Sequence, residues 1–379
     1  MSTILIKNGT LIDGSGSKRY LADILIENEK IKKIGKLDLT ADKVIDASGK
    51  IVSPGFIDTH SHSDLKVLIE PFVEPKIRQG ITTEILGQDG ISMAPLPEEY
   101  VSSWRKNLAG LDGDSDELKW GWKNTDGYLN LISKTGSGPN ELYLVPHGNI
   151  RMEAMGLEAR VATKEELEKM KEITRREMEA GVAGLSTGLI YIPCAYAETE
   201  ELIEICKVAA EYGRPLVIHQ RSEADTMLES MQEVIRIAKE SGVKIHFSHF
   251  KICGQKNWKL IEPVIALLDK CKEEGINVSY DQYPYVAGST MLGVILPPWA
   301  HAGGTDKLIE RLKDKSLREK MKKDIIEGIP GWDNFIDFAG FDGIYVTSVK
   351  TDKNQDCIGK NLTEIAEMRG KEKFDAVFD

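Results

Sequence analysis

The chain has 379 residues, 41% apolar and 29% charged, the balance of a soluble globular protein with room for one large core, alone or beside a smaller unit. Its formal net charge of -11 disfavours a sequence-independent grip on nucleic acid, which depends on Lys and Arg at the phosphates. No apolar run reaches the roughly 18 residues of a membrane span and no basic-then-apolar leader opens the chain; the five cysteines (Cys194, Cys206, Cys253, Cys271, Cys357) form no CxxC pair, so a reducing, cytoplasmic location is the expectation.

Residues 1–53 read as a small all-β unit. Short β-rich runs over 3–7, 10–14, 22–26, 30–34, 44–46 and 51–52 are punctuated by Gly, Asn and Asp, and Asn8-Gly9 after the first run predicts a turn. The texture changes after Pro54-Gly55. Strand-like runs over 82–86, 142–146, 215–218, 244–248 and 277–280 alternate with amphipathic helical stretches over 163–180, 200–212, 227–241 and 260–274. Repeated βα units imply a parallel sheet, and this many imply an α/β fold of the TIM-like (β/α) barrel kind over 54–379. A doubly wound sheet is the alternative. It usually announces a Gly-rich phosphate loop after its first strand, and neither GxGxxG nor GxxxxGK[ST] stands there.

The polar residues fall where a barrel enzyme keeps its chemistry. Four predicted strands are each followed at once by a metal-type ligand: His60 and His62 after 56–59, Asp89 after 85–88, His219 after 216–218, and His249 after 245–248. In a (β/α) barrel the strand ends converge at the C-terminal mouth. On an extended strand, residues i and i+2 point to the same side, so His60 and His62 can share one ion. Imidazole and carboxylate suit Zn²⁺ without excluding Mn²⁺, Fe²⁺ or Co²⁺. A lone HxH is more often a pair of surface or capping histidines. Here four of the seven histidines in the chain occupy strand ends, which chance explains poorly.

Residues 54–62, PGFIDTHSH, resemble the amidohydrolase signature P-G-x-[IV]-D-x-H-x-H, and 1–53 is similar to the small β-sandwich segment those enzymes carry before the barrel. Further strings resemble one branch, the N-acyl-D-amino-acid deacylases: GISMAP at 90–95, HGNIR at 147–151, GVAGLSTGLIY at 181–191, IHQR at 218–221, SHFK at 248–251, DQYPY at 281–285 and AGST at 287–290. The resemblance implies metal-dependent hydrolysis of an N-acyl-D-amino acid to a D-amino acid and a carboxylate. One or two Zn²⁺ ions would be held by His60, His62, Asp89, His219 and His249. Lys251 and Tyr283 would hold the substrate carboxylate or the developing oxyanion. Arg221 assists them or forms a structural salt bridge, and Tyr191 and Ser289 line the pocket or simply pack. The partner implied is a small-molecule substrate, with no nucleic acid and no membrane. His147 reads as supporting or structural, and His246 as facing the helices. His301 reads as part of a lid segment, and Cys253 as a buried thiol.

Two departures from the pattern matter. Those deacylases commonly carry G-N-C-G-I-S with the cysteine as ligand, whereas this chain reads Gly87-Gln88-Asp89-Gly90-Ile91-Ser92. Asp89 then stands in for a thiolate, a harder ligand that can shift metal preference or support two ions. No carboxylated lysine is evident on the fourth strand, where Leu185-Ser186-Thr187 stands. The second departure is the absence of a G-S-D-G-type motif, which carries the family's catalytic aspartate at the end of strand eight, and of the segment that completes the sandwich. An insertion is expected over about 288–345, a strand over 343–348 and a helix over 361–368. The expectation is a barrel incomplete at its C-terminus, lacking its last strand, with little or no deacylase activity of its own. The competing readings are a cyclic-amide hydrolase of the hydantoinase or dihydroorotase kind, and an inactive metal-binding fragment.

Overall fold

A computed structural model describes residues 2–379, and these separate into two units. One runs through Ile57 and takes in Arg78–Thr82, and the other comprises Asp58–Ile77 and Thr83–Asp379. In the first unit β1 (Thr3–Leu11), β2 (Tyr20–Glu27), β3 (Lys30–Gly35) and β4 (Lys43–Asp46) form a sheet in the order β3-β2-β1-β4, and β5 (Ile51–Val52) also pairs with β1. Leu11, Ala22 and Ile24 make its small core, with Ile6, Ile26 and Val52 against them. The turn expected at Asn8-Gly9 does not form. β1 runs straight through it, with Asn8 at φ +62° and the pairing with β2 slipping between Ile6 and Gly9. Partners on both sides hold β1 extended, so the dipeptide is absorbed as a bulge. A Cβ on Gly9 would lie 2.5 Å from Val52 Cγ2, which is why glycine suits the position.

The larger sheet contains β6 (Phe56–Asp58), β7 (Ile81–Leu86), β8 (Asn140–Pro146), β9 (Gly184–Gly188), β10 (Leu216–His219), β11 (Ile245–Phe247) and β12 (Val278–Tyr280). Its order is β12-β11-β10-β9-β8-β7-β6, so every neighbour in space is the next strand in sequence. A doubly wound sheet reverses direction at a switch point. This one does not, and it has the topology of a (β/α) barrel. Leu144, Val145, Leu185, Leu216 and Ile218 are almost wholly buried, as parallel strands covered on both faces require. The outer cover comes from the expected helices, found at Lys164–Glu179, Thr199–Glu211, Met227–Ser241 and Ile261–Glu273. The first of these starts at a capping box in which Thr163 and Glu166 satisfy each other's backbone amides.

After β12 the chain builds something different. Helices Thr305–Lys313, Lys315–Glu327, Phe335–Ala339, Leu362–Arg369 and Lys373–Phe378 surround a second core containing Leu308, Met321, Ile325, Leu362 and Phe374. The strand expected over 343–348 is absent. Tyr345 makes only an isolated bridge to Asn361, while Ile344, Val346 and Val349 pack against the helical core and not into a sheet. The helix expected over 361–368 forms, as part of this second core. One buried carboxylate ties that region to the barrel: Asp333 accepts from Ser222 Oγ at 2.6 Å and from the Glu223 amide at 2.8 Å. All five cysteines are free thiols. Among the described residues no helix is long and apolar enough to cross a membrane.

Candidate metal centre

Each candidate ligand is delivered by the end of a strand. His60 and His62 follow β6, and the His60 amide donates to Asp58 Oδ1 at 3.1 Å. Asp89 follows β7 in the short turn Gln88–Gly90, where it takes φ +55°. Asp and Asn tolerate that left-handed conformation better than most residues. The turn fits because Gly188 opposite it has no side chain: a Cβ there would sit 2.3 Å from the Asp89 carbonyl oxygen. His219 is the last residue of β10, and His249 stands two residues beyond β11 at φ +36°. The five residues named as ligands from sequence all converge.

They converge as two groups sharing one carboxylate. His60, His62 and Asp89 form one cluster and Asp89, His219 and His249 another, with the ligand atoms in each within 4.8 Å of one another. Asp89 Oδ2 lies 3.6 Å from His60 Nε2 and 3.4 Å from His62 Nε2. Its other oxygen, Oδ1, lies 3.6 Å from His249 Nε2, and His249 Nε2 is 2.9 Å from His219 Nδ1. Asp89 is 2% exposed, and Oδ1 is buried without a hydrogen-bond partner among the described residues. A carboxylate held this way, with one oxygen toward each histidine pair, fits a donor set for two neighbouring divalent ions.

Three carboxylates that sequence reasoning did not assign stand behind the histidines. Asp281 Oδ2 is 3.7 Å from His60 Nδ1, Asp112 Oδ1 is 3.5 Å from His62 Nδ1, and Glu223 Oε1 is 3.1 Å from His249 Nδ1. Glu223 also reaches within 3.8 Å of His219 Nε2. A carboxylate on the far nitrogen fixes a ligand imidazole's tautomer and raises its basicity. Asp281 had a legible signal, since it follows β12 as the ligands follow their strands. Asp112, in the loop after the Val101–Leu108 helix, had none. A third cluster, His62, Asp64 and Asp112, extends the acidic wall behind His62.

Charge and burial compete strongly here. Burial alone would raise Asp89, but His60 and His249 beside it outweigh that and hold it well below the usual carboxylate range. Burial would lower His249, yet Glu223 and Asp89 keep it up at about 9. His219 goes the other way, pushed down to about 3 by burial, with His249 opposing its charge. Asp64 is pushed up to about 7 by burial and by the neighbouring Asp112.

A sequence model of the amidohydrolase family matches residues 43–278. The chain belongs to the amidohydrolase family. A D-aminoacylase of Alcaligenes xylosoxydans xylosoxydans is 36% identical over 290 residues, which are 76% of this chain and 58% of that protein. The chain thus spans somewhat over half the length of the curated relatives it matches. The crystal structure of an N-acyl-D-glutamate deacylase from Bordetella bronchiseptica, with zinc and a phosphonate that mimics the tetrahedral intermediate, aligns at TM-score 0.80 and 31% identity over 99% of this chain and 69% of that one. A D-aminoacylase structure concerned with the role of its binuclear metal centre aligns at TM-score 0.78 and 30% identity, over the same shares of each chain. The fold expected from sequence, a TIM-like barrel with an N-terminal β segment, is the fold of these relatives.

The other residues singled out in this amidohydrolase divide by position. Lys251 lies beside the centre, with Nζ 2.6 Å from Glu223 Oε2 and 3.0 Å from His249 Nδ1, and 5.6 Å from the centroid of the Tyr283 ring. Burial would lower Lys251, but Glu223 outweighs it and keeps the ammonium charged. Tyr191 packs its ring 5.7 Å from that of His219, and its hydroxyl meets Thr290 Oγ1 at 2.9 Å. Ser289 is exposed, one residue before that contact. Arg221 is directed elsewhere: its guanidinium is held by Glu233 at 2.8 and 2.9 Å and by the carbonyls of Ala195 and Ala197. His147 is fully buried between Thr187 Oγ1 and Glu201, remote from the two ligand clusters in its bonding. His246 bonds Ser279 on the neighbouring strand and Asp281 just beyond it, and His301 Nε2 donates to the Gly293 carbonyl at 3.0 Å.

Proposed function

We propose that this amidohydrolase cleaves the amide bond of N-acyl-D-amino acids, giving a D-amino acid and a carboxylate, with Zn²⁺ at the centre. The observation that carries the reading is Asp89, buried with one oxygen toward His60 and His62 and the other toward His249. His60, His62, Asp89, His219 and His249 would hold the divalent ions, which when bound would supply Lewis-acid polarisation of the acyl carbonyl and acidify a water. The chain's own residues bind and orient. Lys251, charged and flanked by Tyr283, is the anchor for the substrate carboxylate or the oxyanion. Tyr191 walls the centre beside His219, and Ser289 belongs to the exposed segment that follows Tyr283. Arg221 supports the loop after β10 through Glu233.

The pocket beside Tyr191 is lined mainly by apolar side chains such as Ile91, Met291, Val294 and Leu296, with Asn107 and His301 as polar members and no lysine or arginine among the described residues that line it. This supports a neutral, apolar side chain on the substrate in preference to an acidic one. No general base is assigned within the cluster. Asp281 and Glu223 are taken up by His246 and Lys251, and Asp112 lies behind His62. The reading therefore includes little or no turnover by the 379-residue chain itself. A cyclic-amide hydrolase is disfavoured because β9, the fourth strand of the barrel sheet, ends in Ser186-Thr187-Gly188 with no lysine to bridge metals. Five free thiols support a reducing, cytoplasmic setting.

The test is calorimetry on the Zn²⁺-loaded chain with N-acetyl-D-leucine, N-acetyl-L-leucine, N-acetyl-D-glutamate and a hydantoin. Metal-dependent binding of the D-leucine derivative, at least tenfold tighter than the other three, is expected. Equal binding of the two enantiomers, or preference for the hydantoin, would overturn the proposal.

A further inference from the structure

The spacer residues of the His60-Ser61-His62-Ser63 run do something that the metal reading does not use. While His60 and His62 face Asp89, the alternate side chains turn the other way, onto a single buried carboxylate. Ser61 Oγ donates to Glu84 Oε1 at 2.9 Å, Ser63 Oγ donates to the same oxygen at 3.2 Å, and the two hydroxyls are 2.9 Å apart. Glu84 sits in β7 and is 0% exposed. Its countercharge is Lys76, whose Nζ lies 2.9 Å from Oε1 and also contacts Asp58 and Ser61 Oγ. Asp58 in turn accepts from the His60 amide, and the Ser61 amide donates to Ile85 O. The ligand-bearing segment is thus clamped through His60 N, Ser61 N and both serine hydroxyls.

A fully buried carboxylate is expensive unless it is paired and hydrogen-bonded. Apolar side chains are the ordinary filling of a strand's buried positions, and Leu86 two residues on is one. A purely structural ion pair would need Lys76 alone. The two serine hydroxyls complete the hydrogen bonding of Oε1, and both come from the segment whose register decides whether His60 and His62 can meet one ion. We infer that Glu84, with Lys76 behind it, is a positioning residue for the His60/His62 half of the centre: it sets that half's metal affinity without touching the metal. The inference rests on the proposed metal role of His60 and His62.

The test uses the full chain. The affinities of its two Zn²⁺ sites are measured by chelator competition, and the visible absorption of the Co²⁺-loaded protein is recorded. Variants are Glu84→Gln, which removes the charge while keeping the shape, and Ser61→Ala with Ser63→Ala, which leaves the buried ion pair intact. The His60→Asn, His62→Asn double variant identifies which site belongs to which half. Both perturbations are expected to weaken the His60/His62 site by about 10- to 100-fold, the usual effect of removing a residue that orients a ligand. They are also expected to shift its Co²⁺ spectrum and to leave the His219/His249 site unchanged. A merely structural role would lower thermal stability and weaken both sites together, or leave both alone, and either result overturns the inference. Should the unmodified chain take up no ion at the His60/His62 half, the proposed metal centre fails and this inference with it. Full uptake by the unmodified chain with unaltered variants removes the inference alone.

Discussion

Asp89→Asn is the most direct perturbation of the centre. Asparagine keeps the size of the side chain and tolerates the φ of +55° that Asp89 adopts, so the turn survives. It replaces two anionic oxygens by one neutral oxygen and an amide that can only donate. Because Oδ2 faces His60 and His62 while Oδ1 faces His249, two ions held as proposed would both lose charge and one would lose this ligand entirely. Binding of a four-ligand zinc site is worth about 10–16 kcal/mol, so one ligand accounts for about 3 kcal/mol, or roughly a hundredfold in affinity. The variant is therefore expected to bind at most one Zn²⁺, about a hundredfold more weakly than the unmodified chain. The His60→Asn, His62→Asn variant, by contrast, should keep one ion at nearly full affinity. Elemental analysis after dialysis gives the stoichiometry, chelator competition gives the affinity, and near-ultraviolet circular dichroism verifies the fold. Two ions retained at unchanged affinity in Asp89→Asn would refute the shared-carboxylate argument.

Three further outcomes follow from other parts of the structure. Burial would lower His147, but Cys194 and Glu201 beside it outweigh that and hold it up at about 9. With an unfolded value near 6.5, its contribution is fully present below about pH 6.5 and lost as pH rises through about 9; it amounts to at most about 3 kcal/mol. The midpoint of thermal unfolding should fall over that interval, and His147→Gln should flatten the slope; an unchanged slope counts against the pairing. Gly188→Ala puts a Cβ 2.3 Å from the Asp89 carbonyl and 2.7 Å from the Tyr191 ring, so it should displace the ligand turn at a cost of about 1–3 kcal/mol and reduce bound zinc; wild-type zinc content and stability would disprove the crowding. Trp104, buried with its indole donating to Ser92 O, should cost about 3–5 kcal/mol on replacement by alanine; a loss below about 1 kcal/mol in urea unfolding would show that its pocket collapses freely.

How much of this was legible beforehand depended on the range of the interactions involved. The βα alternation was readable because helix and strand periodicities are local, and the helices covering β8 to β11 fell close to their expected positions. Asn8-Gly9 misled because its local turn preference is weaker than the pairing of β1 with β2, β4 and β5. Residues 343–348 misled for a similar reason: β-branched composition alone does not make a strand where a helical core offers the apolar side chains a nearer place. The convergence of His60, His62, Asp89, His219 and His249 was legible because in this topology the end of a strand is also the mouth of the barrel.

The sequence by itself determined which metal-type side chains stand at strand ends and that the strand ends bring them together. Only the tertiary structure decided what each one faces. It gave Asp89 one oxygen for each histidine pair, turned Arg221 onto Glu233, and set Asp112, Asp281 and Glu223 behind the ligands. It also joined Ser61 and Ser63 to Glu84 on the next strand. Those pairings link residues far apart in the chain, so no local pattern encodes them. They follow from the order in which the parallel strands lie side by side and from the need of every buried charge for a partner.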